Sequence, residues 1–268
     1  MQNQRQYYEK VAGHFDEDAR LFEKRYLENP VLQKIRGEFR KHTEQLQFTN
    51  ALEIGTGPGM DLCYFARKYP GKMIRGIDIS QEMVNTAVRN IAEAGLENAI
   101  ARTGSVEDIP HLFPEARFDL VYVYFGGLNT VYDLKQTVRL LHQLTATGAY
   151  LVLTFVNRYY IMDFLYRSVK LRFSDATARF RNRWKGYSPG RALPGRVYSA
   201  RTIRNTFHPE FGIMSKRGYS LLYPPWYAAR HLQRIRILEP ALWKLDAALQ
   251  KTPLWNIGEY SLYVMQRR

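Results

Sequence analysis

A single cysteine, Cys63, stands in 268 residues, so no disulfide framework is available. It falls at helical spacing among Leu62, Phe65 and Ala66. That predicts a packed thiol on a helix face, with nothing nearby in sequence to activate a nucleophile. Long apolar runs are also missing. No stretch is long enough to span a bilayer, and the polar, charged N-terminus has no signal-peptide pattern. A reducing, cytoplasmic setting is expected, with peripheral membrane contact left open. No His/Cys/carboxylate cluster has metal-ligand spacing and no hydrolase nucleophile motif occurs, so no metal is expected. Internal repeats and low-complexity segments are absent. Acids are scarce in one place only. From Arg158 to Arg236 there are 17 Lys/Arg against three acids, Asp163, Asp175 and Glu210, and this segment accounts for the whole net charge of +14.

What is present is a chain that is 46% hydrophobic, enough for one sizeable core. Its organising stretch is Ala51-Leu52-Glu53-Ile54-Gly55-Thr56-Gly57-Pro58-Gly59. An apolar run ends in an acid and a glycine-rich turn, and a helical pattern follows to about Tyr69. That is strand, tight loop and helix, the opening of a nucleotide-type α/β unit. Glycine lets the backbone turn sharply and approach a ligand closely, and the helix start aims free N–H groups at it. Asp78 ends a second apolar run about twenty residues on, where a carboxylate can accept from both hydroxyls of a ribose. NAD is one candidate. Against it, the loop reads Gly-x-Gly-x-Gly, and Glu53 would repel a pyrophosphate while tolerating a cation.

Strands are expected near 50–54, 73–78, 99–103, 118–124, 149–155, 213–222 and 259–266. Helices are expected near 3–28, 30–46, 59–69, 80–94, 132–146, 199–207 and 226–250. Short apolar strands between amphipathic helices imply a largely parallel sheet covered on both faces. After Phe155 the alternation stops. Met162, Leu165, Tyr166, Val169 and Phe173 form a helical apolar stripe beside Arg167, Lys170 and Arg172. A basic, aromatic run from Arg179 to Arg191 follows.

Glu53 to Gly59, Asp78, Gly104-Ser105-Val106-Glu107-Asp108-Ile109-Pro110 and Phe118-Asp119-Leu120-Val121 resemble, in order and spacing, four successive motifs of the class I S-adenosylmethionine-dependent methyltransferases, small-molecule type (methyltransferase type 11/12-like). The resemblance covers about 48–157, and Glu259–Gln266 is similar to that family's last strand. It implies a Rossmann-like seven-stranded, mostly parallel sheet with helices on both faces, an antiparallel last strand and a helical cap insertion. The expected division is 1–47 over the cofactor site, 48–157 as the cofactor-binding core, 158–198 as the basic aromatic cap and 199–268 completing sheet and cap.

The implied cofactor is S-adenosyl-L-methionine, with S-adenosyl-L-homocysteine as product. Carried over by position, Gly55, Thr56, Gly57 and Gly59 meet its methionine and ribose part. Asp78 holds the ribose, Ile79 and Met83 flank adenine, and Ser105 and Val106 sit at the adenine edge. Many members carry Asp where Ser105 stands, and Glu107 is the compensating acid. Glu53, Tyr8 and Tyr124 complete the expected cofactor set, with Tyr7 beside Tyr8 as a candidate contact.

No universal catalytic residue is implied. Weak candidates are His14 and His208 as bases, Tyr198 as orienting group, Tyr124 as an aromatic face toward a sulfonium, and Asn129 as acceptor-orienting amide. The Asp/Asn-Pro-Pro-aromatic motif of DNA amino-methyltransferases is absent. The expected reaction is O-, N- or C-methylation of a small-molecule or lipid-like acceptor. The alternatives are RNA methylation through 158–236, a non-catalytic cofactor-binding subunit, and a solvated basic face with no ligand.

Overall fold

The computed structural model describes residues 2–182, 184, 193–229 and 237–268. Seven strands form one sheet: β1 Asn50–Ile54, β2 Met73–Asp78, β3 Ala99–Thr103, β4 Phe118–Val123, β5 Thr145–Val156, β6 Phe211–Tyr219 and β7 Tyr260–Arg267. Their order is β3-β2-β1-β4-β5-β7-β6. The first five run parallel, and β7 lies antiparallel between β5 and β6. The chain leaves β1 to one side and β4 to the other, which opens a crevice at the strands' C-terminal ends.

Local chemistry explains the main boundaries. Asn29 caps α2, Pro30–Glu44, by accepting from the Val31 and Leu32 N–H groups, with Pro30 at the first helical position. Ser80 caps α4, Gln81–Glu93, by accepting from Met83 N. α3, Met60–Lys68, leaves the glycine loop at Gly59, whose φ of 81° is left-handed. A Cβ there would lie 3.0 Å from Ala87 Cβ, so glycine permits the close approach of α3 and α4. Cys63 is buried on α3, and burial pushes its thiol up to about 11. β5 begins earlier than the apolar pattern indicates. Thr145 pairs with Phe118, then the register shifts, and Gly148 turns at φ 79° before Tyr150 pairs with Leu120.

One apolar cluster lies on each face. Val31, Ile35, Phe39, Leu62, Phe65 and Val84 pack on the first. Val138, Leu141, Ile203 and Phe207 pack on the other, from α6 (Leu134–Leu144), which follows the short α5 (Ile109–Leu112), and from α9 (Ala200–Phe207). The long N-terminal helix α1, Gln2–Leu27, runs over the first face, where Asp16 accepts from Ser80 Oγ at 2.6 Å and Glu82 N at 3.2 Å. That places an acid at the positive end of α4.

Beyond β5 come α7, Ile161–Val169, and the short α8, Phe173–Ala176. Asp163 is the buried anchor of this cap. It accepts from Arg167 Nε at 2.7 Å and from the Tyr227 hydroxyl, with Arg179 Nε 3.6 Å away. Beside it Glu259 is fully buried, and burial pushes its carboxyl up to about 8. The expected helix over 226–250 is a short turn at Trp226–Ala228 and a helix at Glu239–Leu249, with 230–236 outside the described residues. Most of the basic run, including Arg183 and Arg191, also lies outside them.

Asp61, at 2% exposure, joins α2 to α3 by pairing with Arg36 Nη1 at 2.8 Å and Arg40 Nε at 2.6 Å. Removing one partner of a buried charge cluster leaves the others uncompensated. Asp61→Ala should therefore cost about 3–5 kcal/mol in urea unfolding. A change within error would show that water replaces the pair.

Candidate functional site

The glycine loop folds as it does because three residues take left-handed backbone angles: Gly55 at 76°, Gly57 at 53° and Gly59 at 81°. Residues with a Cβ rarely adopt these angles. The loop is held from below, since the Gly55 and Thr56 N–H groups donate to the Ile77 carbonyl at 2.9 and 3.0 Å. Gly57 N donates to Asp78 Oδ2 at 2.8 Å, and Ser80 N donates to Asp78 Oδ1 at 2.9 Å. Each oxygen of Asp78 thus takes a backbone donor and keeps a lone pair for another. Burial pushes the Asp78 carboxyl up to about 6, against the pull of those N–H groups.

Above the loop is a cavity of about 890 Å³, counting its open mouth. Gly55, Gly57, Asp78, Ile79, Met83, Ser105 and Val106 border it on the loop side. Tyr124, Phe125, Gly126, Gly127, Thr130 and Val131 border it on the β4 side. α1 covers it with Tyr8, Val11, Phe15 and Phe22, and Trp184 reaches in from the cap. The wall is chiefly apolar, with Asp78 as its buried carboxylate.

Three connections hold the cover. Tyr8 donates to both oxygens of Glu107, at 3.0 and 2.9 Å, and its hydroxyl accepts from Tyr132 N at 3.2 Å. Gln4 Nε2 donates to Glu107 Oε1 at 3.0 Å. The Tyr7 hydroxyl donates to the Pro194 carbonyl, which ties α1 to the segment returning from the cap. Burial raises the Tyr8 phenol, with the Glu107 carboxylate adding to it, so this hydroxyl stays protonated at neutral pH.

The structure brings Tyr8, Gly55, Gly57, Asp78, Ile79, Met83, Ser105, Val106 and Tyr124 to one cavity. Other expected residues stand apart from its wall. Glu53 lies beneath the loop, accepting from Thr56 Oγ1 at 2.8 Å and the Tyr122 hydroxyl at 3.3 Å. Burial, with Asp61 near, raises its carboxyl well above the usual range. Thr56 is turned toward Glu53, and Gly59 packs on Ala87. Glu107 borders an adjoining cleft with Tyr8, Ile79 and Ser105. Ser105 Oγ donates to Asp108 Oδ2 at 2.8 Å, within the capping box that opens the short turn at Val106–Asp108.

Of the catalytic candidates, Tyr124 alone borders the cavity. Its hydroxyl is 2.6 Å from Thr43 Oγ1 and donates to the Phe39 carbonyl at 3.3 Å, so it presents a ring and not a proton acceptor. Asn129 is fully engaged. Its Oδ1 accepts from Val156 N at 2.9 Å, and its Nδ2 donates to the Arg196 carbonyl at 2.6 Å. Both ends of the amide serve as a clamp between the β4 loop, β5 and the cap's return. His14 is buried within α1 against Phe15, His208 is exposed at the end of α9, and Tyr198 packs on Phe155. None of these three borders the cavity.

Residues 51–148 match the methyltransferase domain family. They form a methyltransferase domain. A tRNA (guanine-N(7)-)-methyltransferase of Bdellovibrio bacteriovorus is 25% identical over 107 residues, covering 37% of this chain and 51% of that protein. A demethylmenaquinone methyltransferase of Listeria monocytogenes is 26% identical over 148 residues, covering 53% and 60%. The chain thus spans about half to three-fifths of the length of these curated relatives. Among solved structures, the 4+2 cyclase SpnF aligns with a TM-score of 0.62 at 17% identity, covering 96% of this chain and 94% of that one. Coclaurine N-methyltransferase, solved with N-methylheliamine and S-adenosylhomocysteine, aligns with 0.54 at 14%, covering 86% and 72%. These likenesses show the fold of the methyltransferase domain. Its cofactor is S-adenosylmethionine, and the cavity fits it: left-handed glycines allow close approach, Asp78 offers two acceptors, and apolar side chains stand ready for a purine.

Tyr8→Phe removes a donor to Glu107 and the acceptor of Tyr132 N. The net loss is about 1 kcal/mol. Amide exchange in the first turns of α1 should speed up about fivefold with the sheet unaffected; unchanged exchange would mean that the Gln4 and Tyr7 contacts hold the helix without Tyr8.

Proposed function

We propose that the protein transfers methyl from S-adenosylmethionine to a small-molecule or lipid-like acceptor, at oxygen, nitrogen or carbon. The observation that carries this reading is an apolar cavity that joins the glycine loop and Asp78 to an aromatic wall under α1. When bound, the cofactor supplies a methyl group already activated by its sulfonium. This chain's residues align and exclude. Asp78 accepts from the ribose hydroxyls, Ile79, Met83 and Val106 sandwich the adenine, and Ser105 accepts from its edge. Gly55 and Gly57 admit the methionine part. Tyr124 and Phe125 turn ring faces toward the acceptor side, where a cationic centre gains roughly 0.5–2 kcal/mol from an aromatic face. α1 shuts out water, which raises the effective concentration of the held acceptor.

RNA is the second reading, favoured by the charge of 158–236 and by the resemblance to a tRNA methyltransferase. It asks a base to leave its stack and pass beneath α1 and Trp184. A cofactor-binding role without methyl transfer is the third. It draws on the fold alone, since a 4+2 cyclase shares it.

Two measurements test this. Incubating the protein with methyl-labelled cofactor and a cell extract should place label in the small-molecule or organic-soluble fraction. Label in nuclease-sensitive RNA would install the second reading, and binding without labelling the third. Separately, only the ionised Asp78 accepts both hydroxyls, and its carboxyl takes up a proton near pH 6. Calorimetric affinity for S-adenosylhomocysteine should be level above about pH 7 and fall as pH drops through about 6. Asp78→Ala should bind at least about tenfold more weakly at pH 8, with no dependence left across that range. A variant with wild-type affinity would remove Asp78 from the ribose.

A further inference from the structure

The outer face of the cap is inverted relative to an ordinary surface helix. Along α7, Ile161, Leu165 and Val169 recur every four residues on the solvent side, at 43%, 49% and 84% exposure. Leu171 and Phe173 extend this stripe past the helix end at 77% and 59%. The polar side of the same helix is turned inward, where Asp163 is 3% exposed and holds Arg167 and Tyr227. A helix on a water-facing surface places its apolar stripe against the core. This one has a buried acid at its core and an apolar stripe outside.

Charge says what covers the stripe. Six basic and two acidic residues lie between 158 and 182. Both acids are committed: Asp163 is buried, and Asp175 pairs with Arg172 at 2.7 Å. Lys170 is exposed and within reach of the Tyr166 hydroxyl; Arg181 is exposed and donates to Thr177 at 2.7 Å. Neither of these two contacts neutralises its charge. Tyr159 and Phe180, ring centroids 6.0 Å apart, flank the stripe, and such rings suit a boundary with one wet side. A second copy of this chain would bring like charges face to face. An anionic bilayer satisfies both components, since acyl chains accept the stripe and headgroups the bases.

We propose that the α7–α8 face of the cap docks on the surface of an anionic membrane, lying in the interface without crossing it. Among the described residues no helix is long and apolar enough to span a bilayer. The proposal stands on the cap alone and does not depend on the methyl acceptor.

The test is co-sedimentation of the full chain with vesicles of phosphatidylcholine, with and without roughly one-third phosphatidylglycerol. Binding should require the anionic lipid and weaken severalfold at about 0.5 M salt. The triple substitution Leu165→Ser, Val169→Ser, Phe173→Ser should lower partitioning at least about tenfold. The double charge reversal Lys170→Glu, Arg181→Glu should do so by a similar factor through a different component. Both variants should keep the wild-type circular dichroism and S-adenosylhomocysteine affinity, since none of these residues borders the cavity. Wild-type protein that stays in the supernatant would overturn the proposal, as would variants that sediment like wild type. Sedimentation-velocity evidence of a dimer abolished by the triple substitution, with no vesicle binding, would replace the bilayer by a second copy.

Discussion

The contact on which the site depends is the one between Asp61 and two arginines of α2. Asp61 opens the helix that follows the glycine loop, so fixing its carboxylate fixes where that helix starts. Arg36 and Arg40 also lie over aromatic rings, Arg36 at 4.0 Å from the Tyr26 centroid and Arg40 at 3.9 Å from Tyr64. A desolvated guanidinium keeps its charge when it is both paired and stacked. The neighbouring Glu53 yields instead, since burial and Asp61 favour its neutral form. Asp61 thus holds two guanidinium groups, while Glu53 is a hydrogen-bonding scaffold for Thr56 and Tyr122.

From that anchor the aromatic wall follows. α2, once seated, presents Phe39 and Thr43 to Tyr124, and Phe39 packs 5.3 Å from Phe125. Phe125 takes φ 51°, a left-handed conformation uncommon for a residue with a bulky side chain. Its ring is boxed by Tyr26, Phe39 and Tyr260, contributed by α1, α2 and β7. Three elements far apart in sequence thereby hold one strained residue at the cavity wall.

What could be read from the chain was what is local. β1, the loop and α3 form a contiguous pattern, and β2 ends on Asp78 as the spacing predicts. Ser80 and Asn29 act as caps because capping needs only neighbours in sequence. The inverted α7 was half legible: its apolar spacing was plain, but the side facing water depended on the buried Asp163. Trp184 reaches the cavity through tertiary packing, and no periodicity marks it. Phe15 and Phe22 carry no mark in sequence beyond their place in a helical stretch, and only the placement of α1 over the crevice makes them a ceiling. Asn129 followed a strand end in a glycine-rich loop, a setting that invites a ligand role. Its engagement with Val156 and Arg196 required knowing where β5 stops. Glu53 adjoins the loop, a position that suggests a place beside the ligand, yet alternation along β1 turns its carboxyl under the loop and not over it.

The N-terminal helix is both ceiling and doorway. Its side chains border the cavity along several turns, and its ends are tied to different neighbours, Glu107 near the start and the Trp226 carbonyl by way of Asn29. How firmly that helix is held sets how wide the cavity's mouth stands open. The rhythm of entry and departure is therefore written into a few tyrosine and asparagine hydrogen bonds, separately from how tightly the floor grips.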